Sequence, residues 1–284
     1  MIAVVGATGM VGSDVESRLR AGGYEVVATS RRPSDGDCLR LELSDPVTWN
    51  VLPSDTTAVL VCGGISDVRE CREHPETTRA VNVSAASEFA QFMAKRGAMP
   101  VMLSTSYVFD GSRPDFCPDD EVCPMSEYGR QKAAMERAVM STIPESCIVR
   151  LTKVFGGTNR LLSNWRSAFL KGGSISAASD ARVSPLTAEF VAEALAGMLV
   201  DPKAGLWQLS AADDVSWFEI AERLAARCGS GRAAVRAATL AELDPDIEFV
   251  PRFGSLKTVW PGKLPVQRSV LAVDRELENI CASS

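Results

Sequence analysis

The stretch Ile2-Ala3-Val4-Val5-Gly6-Ala7-Thr8-Gly9-Met10-Val11-Gly12 sets the frame for the whole chain. An apolar run with no polar alternation suits a strand buried on both faces, and residues from Met10 to Arg20 continue at helical period. Strand, tight turn and helix therefore follow one another directly. Glycine at positions 6, 9 and 12 permits the turn, lets a pyrophosphate approach the backbone and packs helix against strand. The helix start adds amide donors and a positive dipole. Gly6, Thr8, Gly9, Met10, Val11 and Gly12 are thus candidates for holding a dinucleotide. Glycines at this spacing arise readily by chance, and their place directly after a strand gives them weight.

Outward from this unit the pattern repeats. Apolar runs at Ile2 to Val5, Glu25 to Ala28, Ala58 to Cys62, Pro100 to Leu103 and Cys147 to Leu151 alternate with helical stretches at Met10 to Arg20, Glu76 to Arg96 and Ser126 to Ser141. Such alternation predicts an α/β fold, a Rossmann doubly wound parallel sheet. The character changes near residue 155, where Gly156 and Gly157 open a more irregular region with a helix at Thr187 to Val200, a strand at Leu206 to Leu209 and a helix at Trp217 to Arg227. We expect a Rossmann dinucleotide-binding domain over 1–155. A smaller C-terminal substrate-binding region should span 156–284, with some elements packing back on the core. The final 45 or so residues show little periodicity.

Composition narrows the function classes. Thirty basic and 36 acidic residues leave a net charge of -6, so no global positive field exists to hold nucleic acid or anionic lipid. The apolar stretch Phe190 to Val200 is too short to cross a bilayer. The 8 cysteines (38, 62, 71, 117, 123, 147, 228 and 281) include no C-x-x-C pair, and the 1 histidine is His74. Zinc chemistry and a Ser-His-Asp triad lack their parts, and no metal is expected. No basic region and apolar leader open the chain, so we expect reduced thiols in a cytoplasmic protein. Cys117 and Cys123 flank a proline-containing loop whose length permits a disulfide without predicting one.

The second strand normally ends in an acidic residue when the ribose carries a free 2′-hydroxyl. Here it runs into Thr29-Ser30-Arg31-Arg32. Two guanidiniums in place of a carboxylate fit a 2′-phosphate, so Ser30, Arg31 and Arg32 point to NADP(H) in preference to NAD(H). Tyr128-Gly129-Arg130-Gln131-Lys132 opens a helix after Ser104-Thr105-Ser106. Positions four apart share a helical face. The Lys132 ammonium is expected beside the Tyr128 phenol, lowering its pKa for proton exchange with a carbonyl or alcohol.

These motifs together resemble the extended short-chain dehydrogenases/reductases. Leu103-Ser104-Thr105-Ser106-Tyr107-Val108-Phe109-Asp110-Gly111 is similar to the S-T-D-Y-V-F-D-G signature of the dTDP-4-dehydrorhamnose reductase branch. Arg150-Leu151-Thr152-Lys153-Val154-Phe155-Gly156 resembles its R-T-x-W-V-Y-G segment, Asp180 to Pro185 its D-Q-x-G-S-P-T loop, and Val81-Asn82 its V-N pair. The likeness runs to about residue 228. It implies that Thr105 hydrogen-bonds the substrate oxygen, that Tyr128 donates the proton, and that Lys132 holds the nicotinamide-ribose hydroxyls. Cys62, Gly63 and Gly64 would line the cofactor, and Ser106, Tyr107, Lys153, Asn159 and Arg182 would face the substrate. The implied activity is NADPH-dependent reduction of a keto group on a nucleotide-linked deoxysugar, and the implied assembly is a homodimer.

The chain also departs from that branch. Ser106 stands for the usual Asp, Lys153 for a tryptophan, Leu186 for a threonine, Glu42 for an Asp near the adenine, and Cys62-Gly63-Gly64 for an Asn/Cys-Ala-Ala run. Exchanging indole for ammonium replaces a stacking surface with a point charge, which leaves the sugar open. Dehydratases of the superfamily carry Asp-Glu after the threonine, where this chain has Ser106-Tyr107. A nucleotide-sugar epimerase uses the same triad and stays as an alternative. So does a non-catalytic NADP-binding regulator similar to the regulatory subunit of methionine adenosyltransferase, although such a protein has no chemical need of the phenol.

Overall fold

A computed structural model describes residues 1–33, 37–157 and 159–282. In chain order the elements are β1 (Ile2–Val5), α1 (Met10–Ala21), β2 (Val26–Ser30), β3 (Leu39–Arg40), β4 (Ala58–Val61), α2 (Val68–Glu73), α3 (Pro75–Arg79), α4 (Ala86–Lys95), β5 (Met99–Thr105), α5 (Glu127–Thr142), β6 (Cys147–Leu151), β7 (Val154–Phe155), α6 (Arg160–Leu170), β8 (Ile175–Ala178), β9 (Arg182–Val183), β10 (Leu186–Thr187), α7 (Ala188–Val200), β11 (Gly205–Leu209), β12 (Val215–Ser216), α8 (Trp217–Arg227), β13 (Val235–Ala238), α9 (Leu240–Leu243) and α10 (Ser269–Ala282).

A parallel sheet of 7 strands in the order β11-β6-β5-β4-β1-β2-β3 forms the centre. Its central strands β1 and β4 are apolar throughout and fully buried because both faces are covered. Along β1, Ile2 and Val4 face one layer of side chains, where Val15 and Leu19 of α1 meet Val191 and Leu195 of α7. Ala3 and Val5 face the other, built from Trp49, Phe89, Met93, Met135 and Val139. A third core joins α6, α8 and α10 through Trp165, Phe169, Leu224, Val273 and Leu277. The expected doubly wound parallel sheet is therefore the observed fold. Strand β11, though distant in sequence, pairs with β6 from Gly205↔Cys147 to Leu209↔Leu151.

Three elements differ from expectation. The helix expected over 76–96 is interrupted by a π-helical turn, Ala80–Ala85, between α3 and α4. There the Asn82 amide leaves the helix face to bond the backbone of Ile65, accepting from its N at 2.8 Å and donating to its O at 2.8 Å. Strand β5 continues to Thr105 and so carries that residue at its carboxyl end. The unperiodic tail contains α10, whose Ala272, Val273, Leu277 and Ile280 are buried.

Candidate active site

Strand order reverses between β1 and β4, and in open α/β sheets ligands bind in the crevice outside the strand ends at such a point. A cleft of about 510 Å³ lies there, lined by Gly6, Thr8 and Gly9 after β1, Ser30 to Arg32 after β2, and Cys62 to Gly64 after β4. The N-cap of α1, Gly9, has no side chain to satisfy the following amides. They stay available for an anion. A Cβ at Gly12 would lie 2.3 Å from the Gly6 carbonyl oxygen, so only glycine lets the helix start this close to the turn. The Thr8 and Ser30 hydroxyls meet at 2.8 Å, tying the glycine turn to the end of β2. Arg31 is drawn to Glu42 at 3.8 Å. Among the described residues Arg32 forms no ion pair, and its amide donates to the Ser30 hydroxyl at 3.3 Å. A pyrophosphate fits the glycine cradle, and a further phosphate fits beside Arg32.

The candidate catalytic residues converge from β5 and α5. Thr105 is the last strand residue, and its hydroxyl accepts from the Tyr107 amide at 3.2 Å. Tyr128 follows Glu127 in the first turn of α5, which Ser126 caps by accepting from Gly129 at 3.1 Å. Gly129 touches the backbone of Tyr107: a Cβ there would lie 2.1 Å from the Tyr107 carbonyl oxygen. The Tyr128 ring meets Tyr107 edge-on at 6.1 Å, and Tyr107 meets Phe249 at 5.8 Å.

Electrostatics bear on the expected pairing of Tyr128 with Lys132. Burial pushes the Tyr128 phenol well above its ordinary value, with a hydrogen bond from Thr105 acting in the opposite sense. Burial is the largest influence on that value. The Lys132 ammonium donates to the Leu103 carbonyl at 3.0 Å, burial lowers its pKa against the opposing charge of Glu136, and it acts on the Cys62 thiol at the cleft. The bond to Leu103 ties the Lys132 side chain to β5, one strand away from the cleft that Cys62 lines. A phenol that keeps its proton has the form an acid catalyst needs.

Several groups outside the expected set hold this arrangement. The Asn82 amide also donates to Gln131 at 2.8 Å, and Gln131 donates to Thr78 at 2.8 Å, bracing α5 against the π turn. Arg150 of β6 grips Glu136 of α5 through two bonds of 2.9 and 2.7 Å, both side chains buried. Of the residues expected to face substrate, Tyr107 lines a cleft of about 290 Å³ adjoining the dinucleotide cleft at Asp67. Arg182 lines another of about 540 Å³ with Arg252, and the two substrate-side clefts share Val250. Ser106 begins the turn after Thr105. Asn159 caps α6, accepting from Leu162 at 3.3 Å. Lys153 is exposed to solvent, although the protein around its ammonium desolvates it enough to lower its pKa, an effect that the Glu276 carboxylate partly offsets. Arg252 carried no motif that would have singled it out.

A family model described as the RmlD substrate binding domain matches residues 1–248. The chain belongs to that family. A relative in the curated proteins is a probable low-salt glycan biosynthesis reductase of Haloferax volcanii, 30% identical over 254 residues that cover 85% of this chain and 84% of that protein. A dTDP-4-dehydrorhamnose reductase of Mycobacterium tuberculosis is 29% identical over 251 residues, covering 85% and 80%. Among solved structures, a dTDP-4-dehydrorhamnose reductase of Bacillus anthracis in complex with NADP superposes with a TM-score of 0.83 at 19% identity, covering 98% of each chain. The expected kinship with this reductase branch holds, and the RmlD-family chain is an oxidoreductase. Among the described residues, no helix is long and apolar enough to cross a membrane.

Proposed function

We propose that this protein reduces a keto group on a nucleotide-linked deoxysugar, as its dTDP-4-dehydrorhamnose reductase relatives are named for doing, with NADPH preferred over NADH. The observation that carries this reading is the hydrogen-bonding approach of Thr105 to Tyr128, with Lys132 anchored on Leu103 of the same strand as Thr105, one strand away from the dinucleotide cleft at the switch point of the sheet. NADPH bound there supplies the hydride. Hydride arrival leaves alkoxide character on the substrate oxygen, and groups that act on developing charge accelerate the step. Tyr128, kept protonated by burial, gives its proton to that oxygen, and the Thr105 hydroxyl supports the same atom by a hydrogen bond. Lys132 holds the ribose side of the cleft from its anchor on Leu103. Arg32 supplies the charge that a 2′-phosphate needs. The diphosphate of the substrate extends past Val250 toward Arg182 and Arg252.

The test follows NADPH absorbance with purified protein and a set of nucleotide-linked 4-keto-6-deoxy sugars, using NADH and Tyr128→Phe as controls. Loss of a general acid should slow turnover on the order of a hundred- to ten-thousand-fold while NADPH still binds. Protein that binds NADPH and oxidises none with any keto sugar would overturn the reading and favour a regulator.

A further inference from the structure

Residues 244–250 cross from the C-terminal half to the catalytic helix and are fastened at several points. Arg69 and Arg72 of α2 reach Asp244 (3.7 Å) and the Asp246 carbonyl. Glu248 Oε1 accepts from the Glu127 amide at 2.9 Å and from Arg130 Nη2 at 3.0 Å. One residue farther, Phe249 stacks edge-on against Tyr107, which in turn meets Tyr128. The segment thereby forms one wall of the cleft into which Tyr107 projects.

Glu248 stands where two routes to Tyr128 join. One runs through the backbone, because the amide it accepts from belongs to the residue preceding Tyr128. The other runs through the rings of Phe249 and Tyr107. A carboxylate at a helix N-terminus is favoured by the helix dipole, and hydrogen bonds to an ionised acceptor are stronger than neutral ones. Its second oxygen, Oε2, is buried with no hydrogen-bond partner among the described residues. Stability alone does not account for such an orphan, which costs free energy.

We propose that Glu248 is a positioning residue that latches the 244–250 strap to the first turn of α5, fixing the Tyr128 phenol and the substrate-side wall together. What it positions rests on the reductase reading above; that the latch exists does not. Without it the strap lifts, Phe249 leaves Tyr107, and Tyr128 loses both supports. The cofactor cleft, built from the ends of β1, β2 and β4, is untouched.

The experiment compares wild type, Glu248→Ala and Glu248→Gln by amide hydrogen exchange over residues 127–130, by NADPH titration and by steady-state kinetics. Glu248→Ala should raise exchange in that turn and leave the Kd for NADPH within about twofold. Its kcat/KM for the keto sugar should fall by about tenfold to a hundredfold, the scale of an ångström's misplacement of a reacting group. Glu248→Gln keeps an acceptor for the Glu127 amide and should recover most of the loss. Unchanged exchange in Glu248→Ala, unchanged kinetics despite raised exchange, or no recovery in Glu248→Gln would each overturn the latch. Should wild type itself reduce no keto sugar, the reductase reading fails, and hydrogen exchange alone still decides whether Glu248 holds the strap.

Discussion

Replacing Gly129 by alanine sets two effects of opposite sign against each other. Gly129 sits in the first turn of α5 with ordinary helical geometry, so the change gains up to about 1 kcal/mol of helix propensity. Against this, the new Cβ would lie 2.1 Å from the Tyr107 carbonyl oxygen, when real Cβ contacts essentially never fall under 3.0 Å, a shortfall of 0.9 Å. The obstacle is backbone, in the turn directly after Thr105, and the Pro124 Cβ at 3.1 Å closes the other side. Relief therefore requires α5 to move away from the end of β5. Overpacking of this kind costs about 1–3 kcal/mol, which exceeds the propensity gain. The expected net loss of up to about 2 kcal/mol lowers the melting temperature by about 2–4 °C for each kcal/mol. Displacing the Tyr128 phenol by nearly an ångström should lower kcat by up to about a hundredfold, with the NADPH Kd preserved. Thermal melts and steady-state assays of Gly129→Ala beside wild type measure both. A higher melting temperature with full kcat would show that α5 yields freely and that its contact with the Tyr107 backbone does not place the phenol.

Further outcomes follow from the same geometry. Glu136→Ala leaves Arg150 buried without its partner and should cost about 3–5 kcal/mol in urea unfolding, whereas Arg150→Met with Glu136→Leu should recover most of it; a single-variant cost under about 1 kcal/mol would contradict a dry, paired site. Arg32→Ala should weaken NADPH about tenfold or more while sparing NADH, and Arg31→Ala less, because Arg31 already faces Glu42; equal losses for both cofactors would remove the 2′-phosphate role. Burial raises the Cys62, Cys147 and Tyr107 groups from 9.0, 9.0 and 10.0 to about 12 each. The folded chain thus keeps protons that the unfolded chain releases, so this stability is complete below about pH 9 and declines as pH rises from 9 toward 12. Melts between pH 8 and 11 that stay level would refute that linkage.

The sheet was legible because strands covered on both faces leave uninterrupted apolar runs, as at Ala58–Val61, all of them buried. The glycine turn and the Tyr128/Lys132 spacing were legible because local geometry demands those residue types. Helix α10 was hidden by its own charge: Glu276, 2% exposed, lies on the apolar face and breaks the stripe that Ala272, Val273, Leu277 and Ile280 otherwise draw. The π turn at Ala80–Ala85 leaves no periodic trace, and the bonds that Asn82 makes from it reach Ile65, 17 positions away in sequence. Neither the place of Lys132 against Leu103 nor the reach of Glu248 to α5 could be read locally, because each depends on how remote segments are brought together. Four-residue spacing puts Lys132 and Tyr128 on one face without saying which neighbour the ammonium will choose.

Pairing of β11 with β6 also constrains how the chain matures during synthesis. The edge of β6 is finished when residue 151 has emerged, yet the strand that covers it ends at Leu209. On a ribosome adding about 5–20 residues per second, that edge waits for several seconds with its hydrogen-bonding groups unclaimed. Once β11 arrives, its own outer edge is taken up at one place by Val259, whose amide and carbonyl both bond Gln208, at 3.0 and 2.9 Å. Closure of the sheet thus proceeds from the interior outward, and each newly made border is a template for another chain until the next segment covers it. A nascent polypeptide stalled between these points would present an unpaired strand edge to its neighbours, a stage at which chaperone capture and aggregation compete for the same surface.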